Sequence, residues 1–150
     1  MIAVIQRVEG ASVSIDGKTV GKCGKGLCVL LGVAREDTAE DADALSKKIL
    51  NLRIFEDNGG KMNLSVIDVS GEMLVVSNFT LLAAYKKGNR PDYMGAAAPD
   101  EAKRLYEYFA DKCRCMVPTE CGVFGADMKV DIQNDGPVTI VMDSKILLGK

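Results

Sequence analysis

The chain has 150 residues, a net charge of −2 and no histidine. This length suits one domain, residues 1–150, and the small negative charge argues against broad adhesion to nucleic acid, which needs a summed positive field. The absence of histidine excludes Ser-His-Asp and Cys-His nucleophilic systems and removes the usual general base near neutral pH. Any hydrolytic chemistry must therefore be arranged without an imidazole.

The sequence carries no signal for a membrane or for export. Its uninterrupted apolar runs, such as residues 27–31, are far shorter than the ~20 residues of a membrane helix. No basic region followed by a leader-length apolar segment opens the chain, so we expect a cytoplasmic protein. The five cysteines are an odd number, which favours reduced thiols. Zinc binding by Cys113, Cys115 and Cys121 is the alternative, but their spacing fits no recognisable four-ligand pattern, and we expect no metal and no cofactor.

The first forty residues are predicted to form a β-meander. Residues 2–8 alternate loosely between apolar and polar side chains, as in a strand. Residues 11–15 and 19–22 flank Asp16-Gly17, a strong signal for a type I′ hairpin. Residues 27–33 form a short apolar run, typical of a strand that is buried on both faces.

Three glycines, Gly21, Gly24 and Gly26, precede that apolar run and suggest a phosphate-binding loop. A dinucleotide-binding loop follows a strand and opens a helix, whereas these residues lead into a β-type segment. We therefore interpret them as turn residues.

Two amphipathic helices are predicted. Thr38 begins an approximate capping box, and apolar residues then recur at helical spacing to about residue 51. Asp100 is predicted to cap a second helix with apolar residues on one face. The apolar faces consist of Ala42, Leu45, Ile49 and Leu52 in the first helix and Ala102, Leu105, Tyr106, Phe109 and Cys113 in the second.

About seven strands with helices inserted singly between them predict an α+β fold. We expect a β-barrel-like sheet, antiparallel or mixed, flanked by two helices. Beyond the N-terminal strands, the remaining ones are predicted at residues 53–56, 72–82, 122–132 and 137–142, and residues 61–64 restart the chain between two turns. The chain contains no internal repeat, linker or low-complexity segment, which again indicates one domain.

The predicted strand 72–82 carries Ser77, Asn78 and Thr80 within an apolar run. Buried polar groups need hydrogen-bond partners. These side chains therefore either satisfy one another or the backbone, or they face a cavity.

Directly after this strand, Lys86, Lys87 and Arg90 lie within five residues, with Tyr85 and Tyr93 at the flanks. A solvated loop is the default interpretation of such a run. Its position beside the polar strand makes contact with a polyanion the alternative.

The sequence NDGPVT, residues 134–139, lies between two runs of alternating apolar residues. Gly136 can take backbone angles closed to other residues, and Pro137 has a fixed φ and donates no N–H, so this dipeptide presents carbonyl oxygens. An ordinary hairpin turn is the simplest interpretation, and a cis Gly-Pro bond retained for function is the other. Arg7 lies in the mostly apolar first strand, where one interpretation is that its guanidinium reaches solvent from the strand end.

Five motifs together resemble the D-aminoacyl-tRNA deacylase family over residues 1 to about 142. They are MIAVIQRV at the start, RIF followed by GKMNLSV, LVVSNFTL, GVFGADM and NDGPVT, in the order in which the family has them. The resemblance implies a cytoplasmic homodimer with a β-barrel-like fold that hydrolyses the ester between a D-amino acid and the 3′-terminal ribose of tRNA. It also implies that glycine wrongly attached to tRNA is accepted, and we expect no DNA or membrane partner.

The resemblance further implies a site that two subunits share. The segment 77–81 of one subunit lines the pocket for the aminoacyl-adenosine end, while Gly136-Pro137, held cis, reaches in from the other and is braced by Arg7. The residues implied for the site are Ser77, Asn78, Phe79 and Thr80 for catalysis and Arg7, Phe124, Met128, Gly136 and Pro137 for substrate binding. The family usually has Gln where this chain has Asn78, whose side chain is shorter by one methylene.

The implied chemistry needs no side-chain base. The Gly-Pro carbonyl oxygens accept hydrogen bonds from the substrate ammonium group, so that a D side chain points outward and an L side chain collides. Backbone N–H groups at Phe79 and Thr80 hold the developing oxyanion, and the 2′-hydroxyl of the RNA guides the attacking water. Thr80 as a covalent nucleophile is the competing mechanism, although no base is evident to activate it.

Three other functions stay open at this point. The chain could bind the 3′ end of tRNA without catalysis, or it could hydrolyse small acyl esters in the same pocket, a reaction that would not need RNA. A purely structural protein is the third alternative, but it leaves the two site motifs unexplained.

Overall fold

In the computed structural model, which describes residues 1–150, a barrel-like mixed sheet packs against two long helices and a short one. The α+β prediction is confirmed, with eight strands and three α-helices in place of about seven strands and two helices. The strands are β1 (Ile2–Ile15), β2 (Lys18–Cys23), β3 (Gly26–Gly32), β4 (Phe55–Glu56), β5 (Met62–Leu64), β6 (Glu72–Ser77), β7 (Thr119–Cys121) and β8 (Lys129–Asp143). The α-helices are α1 (Ala39–Leu50), α2 (Pro99–Arg114) and α3 (Ser144–Leu148). None of them has the length and apolar character needed to cross a membrane.

β1 organises the main sheet because it is long enough to pair with three strands. β8 runs antiparallel along one edge of β1, and β3 and β2 share the other edge, at residues 2–8 and 11–15. The predicted β-meander is therefore wrong, since β2 and β3 each pair with β1 and not with each other. β3 extends the sheet through parallel pairs with β6, which pairs in parallel with β7. β4 and β5 form a separate two-stranded sheet.

The turn Asp16-Gly17 has the positive φ values, 49° and 77°, that the predicted type I′ hairpin requires. The prediction of turn residues is wrong for Gly21 and Gly26, which lie inside β2 and β3. A Cβ atom on Gly26 would lie 1.8 Å from the carbonyl oxygen of Glu72, its partner in the β3–β6 ladder. This position therefore requires glycine because the backbones of β3 and β6 approach each other closely there, and a phosphate-binding role is not needed to explain it.

α1 begins as the sequence predicts and α2 does not. At the start of α1, Asp41 accepts hydrogen bonds from the N–H and the hydroxyl of Thr38, at 2.9 and 3.1 Å. The prediction that Asp100 caps α2 is wrong, because the helix already begins at Pro99 and Ala98 is the residue before it. Proline fits the first position of a helix, where its missing N–H would have no partner in any case.

The core lies between the sheet and the two long helices. The residues of the predicted apolar faces that are buried there are Ala42, Leu45, Ile49, Leu105, Tyr106, Phe109 and Cys113. Leu52 and Ala102 are half-buried, and Leu52 lies beyond the end of α1. A second, smaller cluster, which includes Val8, Cys28 and Leu74, packs on the opposite face of the sheet.

The segment 143–150, for which the sequence indicated no role, contains α3 and is anchored to α1. The Ser144 hydroxyl donates to Asp41 Oδ1 at 2.8 Å and accepts from the buried Met1 ammonium group, which also pairs with Asp37 at 2.7 Å. Burial would raise the pKa of Asp41, but hydrogen bonds from Thr38 and Ser144 outweigh it and hold this pKa below its ordinary value. Asp41 therefore accepts these bonds as a carboxylate at neutral pH.

We expect Gly26→Ala to lower the free energy of unfolding by about 1–3 kcal/mol, since the added Cβ must push β3 away from Glu72. Gly10→Ala is the matched control, because its Cβ would meet only the carbonyl oxygen of Cys23 at 3.5 Å, an ordinary contact. Urea unfolding of the two variants measures the difference. Equal unfolding midpoints would contradict the close approach of β3 and β6.

Candidate functional site

The polar residues predicted inside a long strand lie instead at the end of a shorter one. β6 stops at Ser77, and Phe79–Leu82 form a 3₁₀ turn, so the predicted strand 72–82 is wrong beyond Ser77. The Asn78 N–H makes the last rung of the ladder, to the Leu31 carbonyl oxygen at 2.8 Å. β3 itself ends one residue later, which leaves the chain after Asn78 without a strand partner.

A cavity of about 460 Å³ opens beside this strand end. It is lined by Ser77, Asn78, Phe79, Ala96, Ala97, Pro99, Ala102, Phe124, Gly125, Ala126, Asp127 and Met128. Three parts of the chain thus converge on it: the end of β6, the start of α2 and the loop that precedes β8. Five of the residues implied for the site lie in this wall, whereas Thr80 is exposed next to it in the chain.

Sequence reasoning missed two parts of the wall. Residues 96–102 contribute alanines and Pro99, whose small side chains leave the cavity open, but small residues in a stretch without periodicity give no signal. Asp127 is the only ionisable side chain in the wall. Only its place in the motif GVFGADM could have identified it from the sequence as a residue of the site. The chain holds no group of three or more Cys, Asp or Glu residues placed to bind a metal ion.

Two N–H groups at this strand end have no acceptor within the 3₁₀ turn. Phe79 and Thr80 are its first two residues, where no carbonyl of the same turn lies behind the N–H. The hydrogen bonds of the turn begin at Leu81, whose N–H donates to the Asn78 carbonyl oxygen at 3.3 Å. Both N–H groups are therefore free to donate to a ligand, and Phe79 itself lines the neighbouring cavity.

The Thr80 hydroxyl donates to Asn78 Oδ1 at 2.5 Å. The oxygen of a side-chain amide accepts a hydrogen bond but does not take up a proton near neutral pH. This contact therefore orients the Thr80 hydroxyl without activating it as a nucleophile.

Aromatic contacts from outside the cavity hold both of its rings. Phe79 packs edge-on against Tyr93, with 5.1 Å between ring centroids, and Phe124 packs against Tyr106 at 5.9 Å. The Tyr106 hydroxyl donates to the Val75 carbonyl oxygen at 2.7 Å, and burial raises its pKa, so this donor stays protonated. Phe124 thus packs against a buried, hydrogen-bonded ring, whereas Phe79 stays 59% exposed beside Tyr93.

Gly136–Pro137 forms a bulge within β8 and not a hairpin turn. Residues 135–138 stand opposite Arg7 alone, while the residues on both sides of them pair with β1 in the same antiparallel ladder. The predicted strands 122–132 and 137–142 are therefore wrong as two strands, because β8 continues through both sides of the bulge. The Gly136–Pro137 peptide bond is cis.

Arg7 holds this bulge from the neighbouring strand. Its side chain is buried, so the interpretation of a guanidinium reaching solvent is wrong. Arg7 Nε lies 2.9 Å from Asp135 Oδ2 and 3.2 Å from the Asp135 carbonyl oxygen, and Nη1 donates to the Ile54 carbonyl oxygen at 2.7 Å. Asn134 Nδ2 donates to the carbonyl oxygens of Arg7, at 2.9 Å, and Val138, at 3.1 Å. Both ends of the bulge are thus fixed.

Within one chain, the bulge and the cavity are far apart. Ser77 pairs with Leu31, which pairs with Ala3 of β1, whereas the bulge stands opposite Arg7. The four residues from position 3 to position 7 span about 13 Å of strand, and β8 is three strand spacings from β6, about 14 Å. A single chain therefore does not bring the two groups of site residues together.

Comparison with known proteins gives concordant results for sequence and fold. A family model described as D-Tyr-tRNA(Tyr) deacylase matches residues 4–143. Among curated proteins, the chain is similar to the D-aminoacyl-tRNA deacylase of Persephonella marina, with 58% identity over 98% of this chain and 100% of that protein. It is also similar to the D-aminoacyl-tRNA deacylase of Caldicellulosiruptor saccharolyticus, with 56% identity over 97% of this chain and 98% of that protein. Among solved structures, the c-Myc DNA Unwinding Element Binding Protein matches with a TM-score of 0.90 and 45% identity, over 95% of this chain and 98% of that one.

We expect Arg7→Lys to loosen the bulge, because one ammonium group cannot bond to both Asp135 and the Ile54 carbonyl oxygen as the guanidinium does. The variant should lose about 1–3 kcal/mol of unfolding free energy. Amide hydrogens around the bulge should exchange faster, which mass spectrometry measures. Asp135→Asn is the control, since it removes the ion pair and keeps the Ile54 contact, and its effect should be smaller. Unchanged exchange in Arg7→Lys would contradict the bracing role.

Proposed function

The chain belongs to the D-Tyr-tRNA(Tyr) deacylase family, and we propose that it hydrolyses the ester bond between a D-amino acid and the 3′-terminal ribose of tRNA. As a D-aminoacyl-tRNA deacylase it is a hydrolase, like the relatives that it matches over nearly their full length. The products are free tRNA and a D-amino acid, so the reaction removes amino acids of the wrong chirality before translation uses them. We place this activity in the cytoplasm, where aminoacyl-tRNA is consumed.

The observation that carries the proposal is the pair of free N–H groups, of Phe79 and Thr80, beside a cavity that contains no histidine or lysine. During ester hydrolysis negative charge develops on the carbonyl oxygen, and preorganised N–H donors stabilise it. Removal of one such donor typically costs about 10²–10³ in kcat. We assign guidance of the attacking water to the 2′-hydroxyl of the terminal ribose, which the substrate itself supplies.

We assign the choice between D and L substrates to the Gly136–Pro137 bulge. Pro137 donates no N–H and Gly136 has no side chain, so the bulge offers carbonyl oxygens to a substrate ammonium group. With ammonium and ester both fixed, a D side chain points away from the bulge and an L side chain collides with it. Rejection of L substrates by roughly 10⁴ needs about 5.5 kcal/mol, more than one methylene in an apolar pocket provides, and a clash with backbone can reach it. Glycine has no side chain to collide, so glycyl-tRNA is also a substrate.

This mechanism requires two copies of the chain. Because the bulge and the cavity lie far apart within one chain, we infer that the bulge of one subunit completes the cavity of its partner in a homodimer. β8 supports this inference, since it pairs only with β1 and leaves its other edge free, with Val141 68% exposed. A two-fold dimer would contain two equivalent sites.

We expect the protein to deacylate D-Tyr-tRNA at least about 10³-fold faster than L-Tyr-tRNA, as a steric filter of this kind requires. Gly136→Ala should lower this ratio, because its Cβ would lie 2.1 Å from the Val138 backbone nitrogen and must displace the bulge. Release of labelled tyrosine from each tRNA, at matched protein concentrations, measures both rates.

Gly10→Ala is the matched control for this experiment and should keep the ratio of the two rates, since its Cβ makes only an ordinary contact. If neither ester is cleaved while tRNA still binds, the enzyme proposal fails and non-catalytic binding takes its place. Comparable cleavage of D-tyrosine methyl ester, which lacks RNA, would instead indicate a hydrolase of small esters.

Thr80→Val separates the two candidate mechanisms, because it removes the hydroxyl and keeps the backbone N–H. If the N–H groups hold the oxyanion and water attacks, kcat should stay within about tenfold of that of the unaltered protein. Covalent catalysis by Thr80 predicts a loss of about 10⁴–10⁶. Single-turnover deacylation of D-Tyr-tRNA measures this difference.

A further inference from the structure

The loop that follows the 3₁₀ turn, residues 85–91 and here called the basic loop, carries free positive charge. Its cations Lys86, Lys87 and Arg90 are exposed, and none of them takes part in a salt bridge. Two backbone hydrogen bonds between Ala84 and Asp92, at 2.7 and 2.8 Å, close the base of the loop. The Asp92 carboxylate accepts a backbone N–H and forms no salt bridge with these cations. In a chain of net charge −2, this is a local patch of unpaired cations.

Tyr85 presents an unsupported aromatic ring beside these cations. It is 80% exposed, and it packs against no other ring. Exposed aromatic rings combined with cations are the means by which proteins hold single-stranded nucleic acid, because bases stack on the rings and phosphates pair with the cations. Packing within the chain therefore does not explain an aromatic residue at position 85.

Residues of the cavity wall lie on both sides of the basic loop. Phe79 precedes it, and Ala96 and Ala97 follow it. The contact between the rings of Phe79 and Tyr93, at 5.1 Å, ties the end of the loop to that wall. A polymer whose last residue fills the cavity can therefore extend along the loop.

We propose that the basic loop binds the single-stranded nucleotides that precede the terminal adenosine of tRNA. One base stacks on Tyr85, and the phosphates pair with Lys86, Lys87 and Arg90. This inference rests on the proposed function, which places the aminoacyl-adenosine end in the cavity. Stacking on an aromatic ring does not depend on the identity of the base, so this contact requires no hydrogen-bond readout of the nucleotide. It also gives the enzyme a contact that a small amino acid ester lacks.

The test compares two RNA probes, uncharged tRNA and the same tRNA without its last three nucleotides, by fluorescence anisotropy. Tyr85→Ala should weaken binding of intact tRNA about tenfold, or about 1.4 kcal/mol, and binding of the truncated tRNA less than about twofold. Tyr85→Phe keeps the ring and should bind both probes as the unaltered protein does.

The salt dependence of binding tests the cations. Lys86→Ala combined with Lys87→Ala removes two phosphate contacts, so the slope of log K against log salt concentration should become shallower by roughly 1.4. Lys47→Ala combined with Lys48→Ala, on the exposed surface of α1, is the control of equal charge and should leave the slope unchanged.

Equal weakening of both probes by Tyr85→Ala, or no weakening, would overturn the inference, and so would equal slopes for the two pairs of lysine variants. Binding and catalysis are separate readouts in this design. If the unaltered protein deacylates D-Tyr-tRNA but Tyr85→Ala binds intact tRNA normally, the proposed function is supported and the proposed role of the loop is refuted. If binding depends on Tyr85 and no ester is cleaved, the role of the loop stands and the proposed function falls.

Discussion

The antiparallel ladder between β1 and β8 is the constraint on which the rest of the structure depends. Its larger interruption lies opposite Arg7, a smaller irregularity follows between Val8 and Gly10, and both sides of the larger interruption stay paired with β1. The Gly136–Pro137 bulge therefore has fixed ends, and its position follows from strand pairing. The guanidinium can be buried there because Asp135 and the Ile54 carbonyl oxygen supply acceptors, whereas an unpaired buried cation would cost several kcal/mol.

The candidate site is built where regular backbone pairing stops. The end of β6 frees the N–H groups of Phe79 and Thr80, and the bulge in β8 takes Gly136 and Pro137 out of the ladder with β1. In the proposed mechanism, the first place supplies donors for an oxyanion and the second supplies acceptors for an ammonium group. A site made of backbone groups has no need of an ionisable side chain, which is how a hydrolase can lack histidine altogether.

The features that could be predicted from the sequence are those with a local signal. Asp16-Gly17 has the chemistry of one turn type, and the apolar spacing of α1 is unambiguous. The end of the predicted strand 72–82 could not be predicted, because it is set by the end of β3, a partner that is distant in sequence. The bulge has the same local sequence as a turn, and only its pairing with β1 distinguishes the two. Of the site, the segments within the recognised motifs could be located, whereas the alanines at 96 and 97 carry no signal at all.

The pairing of Ile2 with Asp143 also governs how the chain reaches this fold. Contacts between residues so far apart in sequence make folding slow, because a long loop must close before they form. During synthesis at roughly 5–20 residues per second, β1 waits on the order of 7–30 s for β8 to be made. For that time a long apolar strand has one open edge, the kind of surface that pairs with other chains. Nascent chains of this protein are therefore exposed to aggregation through this edge until β8 has left the ribosome.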